Sequence, residues 1–585
     1  MVKACEPQAG EEIPHDHLYM VTGLSSNNLD KLAQEPEADF EAAIEATGYG
    51  RFNALLMLCC LPAFWSAVSV TSAPSYIFTQ AVCDMNLRLL DMGTINAITY
   101  GGMIASAMVW GFLSDSLGRR KFLIWGFFAS GVIELTASMS QSFTMLLITR
   151  FTSGFIFNGP FAVLISYIAE LHRTSLRARV ILLTSLFYTI ANTILPLLAW
   201  GILVNDWDVP VGSVFVIHSW NFFLLATALV PLITGAAFVF LPESPKFLMS
   251  RGRNEEAMEV FRKIYTMNTG LPPDTFPIKT LVKEKSEQLE QGVKALKGGM
   301  AQTAPLFKPP YLAYLILICG AHIGCMFGSN TIRLWYPQLA AMMGTHANES
   351  LCSAIAPVPV AEEESLSCAP IETDMLTYLQ SSIVGAGSVL TYSIGGALVN
   401  RSMALQCHLK VAYYIKAALL ATYLIYCVAE VTQPHSKYSR CGKKLVAGIC
   451  GLLGAVVIIL MPVLGNSAGA VVVMVTVGLA LNSLSGASLS SIVVDLFPTS
   501  LRVMAMATFL MCGRLGTISG TVIFPALIDY GCLPPFIVVG VGAGGGRRTV
   551  YLRRKYHPKL MCLFYNSSQL ILYSLYYRHA IIFYS

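Results

Sequence analysis

The sequence predicts an all-α polytopic membrane protein, because of its composition and the length of its apolar runs. Of its 585 residues, 55% are apolar and only 12% are charged, against about 25% charged in an average soluble domain. The apolar residues occur in runs of about twenty, enough to cross roughly 30 Å of hydrocarbon as a helix. The mean hydropathy is +0.59. This composition excludes an ordinary cytosolic enzyme, a coiled coil and a disordered chain.

Twelve apolar segments fall into two groups of six, separated by a polar stretch at 242–309. The first group is predicted to span the membrane at 52–78, 93–113, 122–140, 143–168, 180–204 and 219–241. The second group is predicted at 311–337, 376–399, 445–464, 469–493, 503–528 and 533–546. The last segment is short for a span, and a further apolar run at 411–430 lies outside this pattern.

Basic residues lie almost entirely on one side of this arrangement. Residues 242–309 hold eleven Lys or Arg, whereas residues 338–375 hold none. Because Lys and Arg are retained on the cytosolic side, the central stretch and both chain ends are predicted to be cytosolic. Residues 1–48 hold ten acids against two Lys, which predicts a flexible acidic tail without a cleaved signal peptide.

The acid-rich outer loop after the seventh span carries two candidate modification sites. Residues 348–350 read Asn-Glu-Ser, so Asn348 is a candidate glycosylation site. The same loop holds Cys352 and Cys368, which are expected to form a disulfide in an oxidising compartment. The alternative is two free thiols.

An internal repeat relates the two groups of spans. Residues 169–177 read AELHRTSLR and residues 494–502 read VDLFPTSLR, each directly after the fourth span of its group. Residues 111–120 read GFLSDSLGRR, and the second group matches this motif only when 402–440 is removed, which joins GALVNR to CGKK. We therefore interpret 402–440 as an insert, either a retained intron or a lineage-specific insertion.

These motifs resemble those of the major facilitator superfamily. The G-x-L-x-D-x-x-G-R-R-K motif at 111–121 resembles the loop signature of that superfamily, and P-E-S-P-K at 242–246 resembles a signature of its sugar and organic-ion porters. The G-Y-G-R-F run at 48–52, the loop at 170–177 and the glycosylatable outer loop resemble the synaptic vesicle glycoprotein 2 branch. The resemblance implies two six-helix halves around a central site. Members of that branch carry acids in span 1, and this span has none, which puts proton coupling through it in doubt.

The resulting organisation has five parts. They are an acidic cytosolic tail at 1–48, a six-helix half at 49–241, a cytosolic central loop at 242–309, a second six-helix half at 310–546 and an aberrant basic tail at 547–585. Within the central loop, apolar residues at 260, 261, 264 and 265 predict an amphipathic helix over 254–265.

Residues at the cytosolic ends of the spans are candidates for a conformational latch. Such a cluster would hold one conformation closed and would break as the halves rock about a central site. The alternative is a charge cluster that only sets the topology. Gly111 would let helices approach closely, and Asp115 would pair with Arg119 or accept hydrogen bonds. The candidate latch residues are Gly111, Asp115, Gly118, Arg119, Arg120, Glu170, Arg177, Asp495 and Arg502.

Polar residues inside the spans are candidate coupling or substrate residues. Glu134 and Arg150 each lie about seven residues from the same outer turn, so they share a depth and are expected to pair. A charged carboxylate in a span costs roughly 2.5–3.5 kcal/mol unless it has a partner, so this pair is either functional or structural. Asn158 and His322 are further candidates, with helix packing as the alternative. Trp65, Asn192, Trp220 and Asn482 are candidate cavity residues, Arg514 lies in span 11, and Arg333 is placed near the outer end of span 7, where it would snorkel.

These features predict a secondary transporter that moves a small organic solute by alternating access. The alternatives are a non-transporting vesicle glycoprotein that regulates secretion and a plasma-membrane porter of organic ions or sugars. The expected partners are the lipid bilayer and the solute, with protons or Na⁺ as candidate coupling ions. The expected location is a vesicle membrane or the plasma membrane. The sequence has no metal-ligand spacing, phosphate-binding loop or nucleophile elbow, so it predicts no enzyme activity, metal, cofactor or nucleic-acid partner.

Overall fold

The computed structural model is helical over most of the residues it describes, which are 37–205, 207–211, 215–282, 304–344, 350–355, 374–398 and 439–545. Residues 402–438 of the predicted insert and the predicted tail at 547–585 lie outside the described residues. Asn348 also lies outside them, so the insert, the basic tail and the glycosylation site remain predictions.

The first half consists of long helices and one small hairpin. The helices are α1 (Phe40–Ala46), α2 (Arg51–Ser72), α3 (Pro74–Asp84), α4 (Leu89–Leu117), α5 (Arg119–Ser138), α6 (Phe143–Glu170), α7 (Thr174–Leu203) and α8 (Ser219–Phe238). Strands β1 (Val209–Val211) and β2 (Phe215–Ile217) pair antiparallel between α7 and α8. Pro74 at the first position of α3 has no N–H to donate, which is why the first span is divided into α2 and α3.

The central loop and the second half are also helical. The helices are α9 (Pro245–Ser250), α10 (Asn254–Thr269), α11 (Tyr311–Gly344), α12 (Leu351–Ile355), α13 (Met375–Leu398), α14 (Ser439–Leu464), α15 (Ala468–Leu496), α16 (Thr499–Ile528) and α17 (Leu533–Gly545). Short 3-10 turns occur at Pro273–Thr275 and Ala304–Phe307.

A helix is present at each of the twelve predicted spans. Among the described residues, eight helical stretches are long and apolar enough to cross a membrane by length and composition. Residues 375–390 and 533–544 form shorter apolar helices. The fold is therefore an all-α polytopic membrane fold.

The two halves pack unequally at the two ends of the bundle. We call the end with α9 and α10 the basic face and the other end the opposite face. Near the opposite face one apolar cluster draws residues from both halves, including Phe78 and Trp335. Near the basic face the clusters are separate. One is built around Phe127 with only Leu334 from the second half among its buried residues, and the other is built around Phe509. The halves are therefore joined at the opposite face.

Two helix pairs form most of this junction: α4 packs against α16, and α7 packs against α13. Gly93, in the first turn of α4, faces the second half so closely that a Cβ there would lie 2.5 Å from the Thr521 carbonyl oxygen. Small residues let helix backbones approach within a membrane, and this approach brings the two halves together.

The end of the acidic tail is folded, so that part of the prediction of a flexible tail is wrong. Helix α1 buries Phe40 and Ile44 against Phe261 of α10. Ala38 pairs with the central loop, donating to the Thr280 carbonyl at 3.0 Å. The predicted amphipathic helix is confirmed as α10, whose residues Phe261, Ile264 and Tyr265 are buried. Tail and central loop thus form one small unit on the basic face.

The predicted disulfide between Cys352 and Cys368 is wrong, because Cys352 bonds to Cys532 instead, with 5.3 Å between their Cα atoms. Helix α12 folds back onto the end of α14, where the Leu351 N–H donates to the Gly465 carbonyl at 2.9 Å. That docking carries Cys352 to the loop before α17. Nearness in the sequence suggested the wrong partner, since tertiary packing sets which thiols meet. Cys83 is also disulfide-bonded.

Candidate functional site

The predicted latch motif lies where α4 turns into α5. Gly118 has a φ of +92°, a region that glycine enters without steric cost, and this allows an abrupt turn between the two helices. The Arg120 backbone N–H donates to Glu243 Oε1 at 2.9 Å, and Arg120 Nη2 donates to the Val239 carbonyl at 2.6 Å. The P-E-S-P-K run therefore anchors this turn to the end of α8. Gly111 and Asp115 lie in α4, and their side chains are outside the described part of the structure.

Glu170 connects the same turn to α6. Arg119 Nε lies 3.9 Å from Glu170 Oε1, and the guanidinium of Arg119 lies over the Phe247 ring at 5.7 Å. The Ser244 hydroxyl donates to Glu170 Oε2 at 2.6 Å. All of these partners belong to the first half or to the segment directly after it. The cluster therefore holds the first half together at the basic face in this conformation.

Arg177 binds Glu41, a residue of the predicted acidic tail. It donates from Nη1 and Nη2 to the two carboxylate oxygens of Glu41, each at 2.9 Å. Burial raises the pKa of Glu41, but the hydrogen bonds from Arg177 and Thr174 and the charge of Arg177 outweigh it, so the net pKa is lowered. In the second half, Asp495 is exposed at the end of α15 and Arg502 is half-buried at the start of α16.

The expected pairing of Glu134 with Arg150 is confirmed. Arg150 Nη2 donates to Glu134 Oε2, and both side chains are almost fully buried. The Ser153 hydroxyl donates to Glu134 Oε1. The carboxylate thus has a cation and a hydroxyl within the first half, between α5 and α6. Its position is set by helix register, since Arg150 and Ser153 are three residues apart on one face of α6.

Asn158 and His322 occupy packing positions. The Asn158 side-chain amide donates to the Met103 carbonyl at 3.0 Å and to the Ser106 hydroxyl at 3.2 Å, which ties α6 to α4. The His322 ring stacks on Phe509 with centroids 3.7 Å apart, which ties α11 to α16. These contacts match the packing alternative for both residues. Trp220 donates to the Asp84 carboxylate, and Asn482 donates to the Gly478 carbonyl.

A polar network at the middle of the bundle was missed by sequence reasoning, and Arg333 is its centre. The prediction that Arg333 lies near the outer end of its span and snorkels is wrong, because its guanidinium points between the two halves. Arg333 donates to hydroxyl or amide oxygens of both halves. These are Ser72 (2.8 Å), Tyr100 (3.2 Å), Tyr188 (3.2 Å), Asn192 (3.3 Å) and Asn330 (3.3 Å).

Arg514 and Thr517 extend this network. Arg514 Nη1 donates to the Met103 carbonyl at 3.2 Å, across the junction between the halves. Asn330 donates to the Thr517 hydroxyl at 2.8 Å. Only Asn192 belongs both to this network and to the predicted cavity residues. No sequence signal identified the network, because hydropathy gives the depth of a residue but not the side of the helix it occupies.

A cavity adjoins the network on its basic-face side. A cavity of about 240 Å³ lies on the basic-face side of Tyr188. Towards the opposite face, the gap between Tyr76 of α3 and Ser381 of α13 is only about 10 Å³. The cavity is lined by Phe64, Phe161, Ile165, Ile181, Thr184, Ser185 and Tyr188.

Among the described residues, no group of three or more His, Cys, Asp or Glu could hold a metal ion. What the arrangement offers is a mid-depth polar site between two helical halves, closed on one side and adjoining a cavity on the other.

Known proteins are similar to this chain in sequence. Human synaptic vesicle glycoprotein 2A is 26% identical over 330 residues, 53% of this chain and 44% of that protein. Mouse synaptic vesicle glycoprotein 2C is 27% identical over 260 residues, 44% of this chain and 35% of that protein. The chain thus spans less than half the length of these relatives.

Solved transporter structures show the same fold. The xylose transporter XylE from E. coli, in a partially occluded inward open conformation, superposes with a TM-score of 0.55 at 13% identity. That match covers 88% of this chain and all of XylE. A point mutant of the nucleoside transporter NupG gives a TM-score of 0.52 at 11% identity over 86% of this chain and 98% of its own. The profile of the Major Facilitator Superfamily matches residues 54–521. The chain belongs to the major facilitator superfamily.

Proposed function

We propose that this protein is a secondary transporter that moves a small organic solute by alternating access. The observation that carries the proposal is the unequal packing of the two halves around the Arg333 network. One end of the bundle is closed by a shared apolar cluster, and a cavity adjoins the network on the other side. A transporter needs such a site, reached from one side at a time.

The basic face is the cytosolic face in this proposal, so the structure corresponds to the inward-facing state. The distribution of Lys and Arg supports that orientation, with both chain ends in the cytosol. In the outward-facing state, the junction between Tyr76 and Ser381 would open. The two six-helix halves at 49–241 and 310–546 would then rock about the site, and the Arg119–Glu170 cluster would contact the second half.

The structure gives little support to ion coupling through Glu134. The Glu134–Arg150 pair lies inside the first half, away from the junction where a solute would pass. Its geometry supports a structural role. Protons or Na⁺ remain candidate coupling ions, with no acid in span 1 to carry a proton.

The test is uptake into proteoliposomes combined with a reversible lock. The variant Tyr76→Cys/Ser381→Cys places two thiols across the closed junction. Saturable uptake of at least one solute from a panel of sugars, nucleosides, organic cations and organic anions is expected. Oxidising the double variant should lower that uptake more than tenfold, and dithiothreitol should restore it.

Each single variant and the unmodified protein, oxidised and reduced in the same way, are the controls. Reduction also opens native disulfides, and the unmodified protein measures that effect. Absence of saturable uptake with or without proton and Na⁺ gradients would overturn the proposal. A lock that leaves the rate unchanged would overturn alternating access at this junction.

A non-transporting vesicle glycoprotein is the second candidate, and the relatives named synaptic vesicle glycoprotein 2A and 2C favour it. In this case the protein would regulate secretion through its tail, its central loop and its outer loop. The unit formed by α1 and α10 would be the docking element at the cytosolic face.

A further inference from the structure

Two arginines of the second half converge on the same tyrosine of the first half. Arg333 Nη2 donates to the Tyr100 hydroxyl at 3.2 Å, and the guanidinium of Arg514 is a charged neighbour of the same tyrosine. Arg514 also reaches across the junction to the Met103 carbonyl, on the helix that carries Tyr100. Two positive charges therefore lie at the point where the halves meet.

Neither charge is neutralised by a protein carboxylate in the described part of the chain. Every hydrogen-bond acceptor of Arg333 is a hydroxyl or an amide oxygen, and the acceptor of Arg514 is a backbone carbonyl. A charge without a counter-charge is costly within a membrane span. This arrangement contrasts with Arg150, which has its own carboxylate. An acceptor with negative charge would complete the central site.

Hydrogen-bond donors remain available for such an acceptor. A guanidinium has five N–H groups. Arg514 uses one of them in the described structure, and the cavity side of the network lies next to Tyr188. The planar donor fork of arginine matches the two oxygens of a carboxylate. Phe64 and Phe161 line the adjoining cavity and offer an apolar surface for the rest of a solute.

We propose that the central site binds its solute through an anionic group, a carboxylate held between Arg333 and Arg514, with the organic body in the adjoining cavity. This inference rests on the proposed function in taking the central site as the solute site. A bound inorganic anion has the same charge, so the experiment separates the two sources.

The test is ligand binding to the purified full-length chain, because binding does not require transport. Thermal stability and calorimetry would be measured in low-salt buffer with benzoate, cinnamate and hippurate. Each acid is compared with its neutral amide, and benzylammonium and sodium chloride are run alone. At least one carboxylate is expected to bind ten times or more tightly than its amide.

Arginine variants assign that difference to the site. Arg514→Gln is expected to remove the preference for the acid, and Arg333→Gln to remove both the preference and most of the binding. Arg514 makes a single described hydrogen bond, so its variant stays informative even if Arg333→Gln fails to fold. The matched control is Arg88→Gln, which removes the same charge from a side chain that is 82% exposed on the opposite face.

Four outcomes would overturn the inference. The acid and its amide bind equally tightly, or benzylammonium binds more tightly than any carboxylate. Alternatively, Arg514→Gln binds the carboxylate as tightly as the unmodified protein, or chloride alone saturates the site and prevents every carboxylate from binding. Failure of the inference and failure of the proposed function look different. Arginine-dependent carboxylate binding without any uptake would contradict the proposed transport and leave the anionic site standing. Saturable uptake of a neutral solute would contradict the anionic site and leave the proposed transport standing.

Discussion

Arg150 and Arg333 both place a positive charge within the bundle, and their surroundings differ. Arg150 is fully buried within the first half and is bound to Glu134. Arg333 is half-buried between the halves, and its partners among the described residues are all neutral groups. A charge whose counter-charge belongs to the same rigid half holds that half together. A charge at a moving junction without a counter-charge is available to a ligand and to a change of conformation.

The two ends of the bundle show the same division of roles. At the opposite face, apolar side chains from both halves share one cluster. At the basic face, each half has its own cluster, and the polar contacts given above for Arg119, Arg120 and Glu170 lie within the first half or the segment directly after it. Contacts within a half can persist through a conformational cycle, whereas contacts between halves must be exchanged.

The largest expected effect comes from breaking the pair inside the first half. Glu134→Gln leaves Arg150 buried without a negative partner, which should destabilise the protein by about 3–5 kcal/mol. The measurement is thermal unfolding of purified protein followed by size-exclusion chromatography. Glu134→Gln/Arg150→Met, which removes both charges, should recover most of the loss.

Glu259→Gln is the matched control for that change, since Glu259 is exposed on α10. If Glu134→Gln is as stable as the unmodified protein and loses only the proton dependence of uptake, the structural interpretation of the pair is wrong and the coupling interpretation is right.

A smaller effect on stability is expected at the junction. Arg333→Met removes hydrogen bonds to neutral groups and leaves no opposite charge unpaired, so the expected loss is about 1–2 kcal/mol. The same unfolding measurement applies. The comparison between the two arginines would fail if Arg333→Met destabilised the protein as strongly as Glu134→Gln.

The smallest effect is expected where α1 attaches to the bundle. The pKa of Glu41 is lowered in the folded protein, so its charge stabilises the fold above the ordinary pKa of a glutamate. That contribution should disappear as the pH falls through the lowered pKa. The side chain of Glu41 is 46% exposed, so removing its charge should cost less than about 1 kcal/mol.

Hydrogen exchange of α1 at neutral and acidic pH measures this attachment. Glu41→Gln should make α1 exchange faster at neutral pH and make the exchange less sensitive to acid. Glu45→Gln, on the same helix, is the control. Equal exchange in the two variants at neutral pH would show that the apolar contacts of Phe40 and Ile44 alone hold α1.

Features that depend on distance along one chain segment were predictable. Runs of apolar residues placed the twelve helices, because hydropathy and length report membrane depth directly. The pairing of Glu134 with Arg150 followed from equal depth on neighbouring helices. The α10 helix followed from its apolar period. Membership of the major facilitator superfamily followed from motifs that occur as continuous strings.

Features that depend on which helix faces meet were not predictable. Arg333 was assigned to the lipid interface, although its rotation on α11 directs it between the halves. The sequence predicts a disulfide between Cys352 and Cys368, whereas the docking of α12 brings Cys352 to Cys532. The sequence places Glu41 in a flexible acidic tail, whereas α1 packs against the central loop and brings Glu41 to Arg177.

The sequence by itself determined the membrane-spanning class, the order of the helices, the Glu134–Arg150 pair and the family. Only the tertiary structure decided which buried charges lack a counter-charge among the described residues, which thiols meet and which end of the bundle is closed. The physical reason is that hydrophobic burial along a helix is a local property of the chain. The surroundings of a charge depend on groups that the fold brings from distant segments, such as Ser72, Tyr100 and Tyr188 around Arg333.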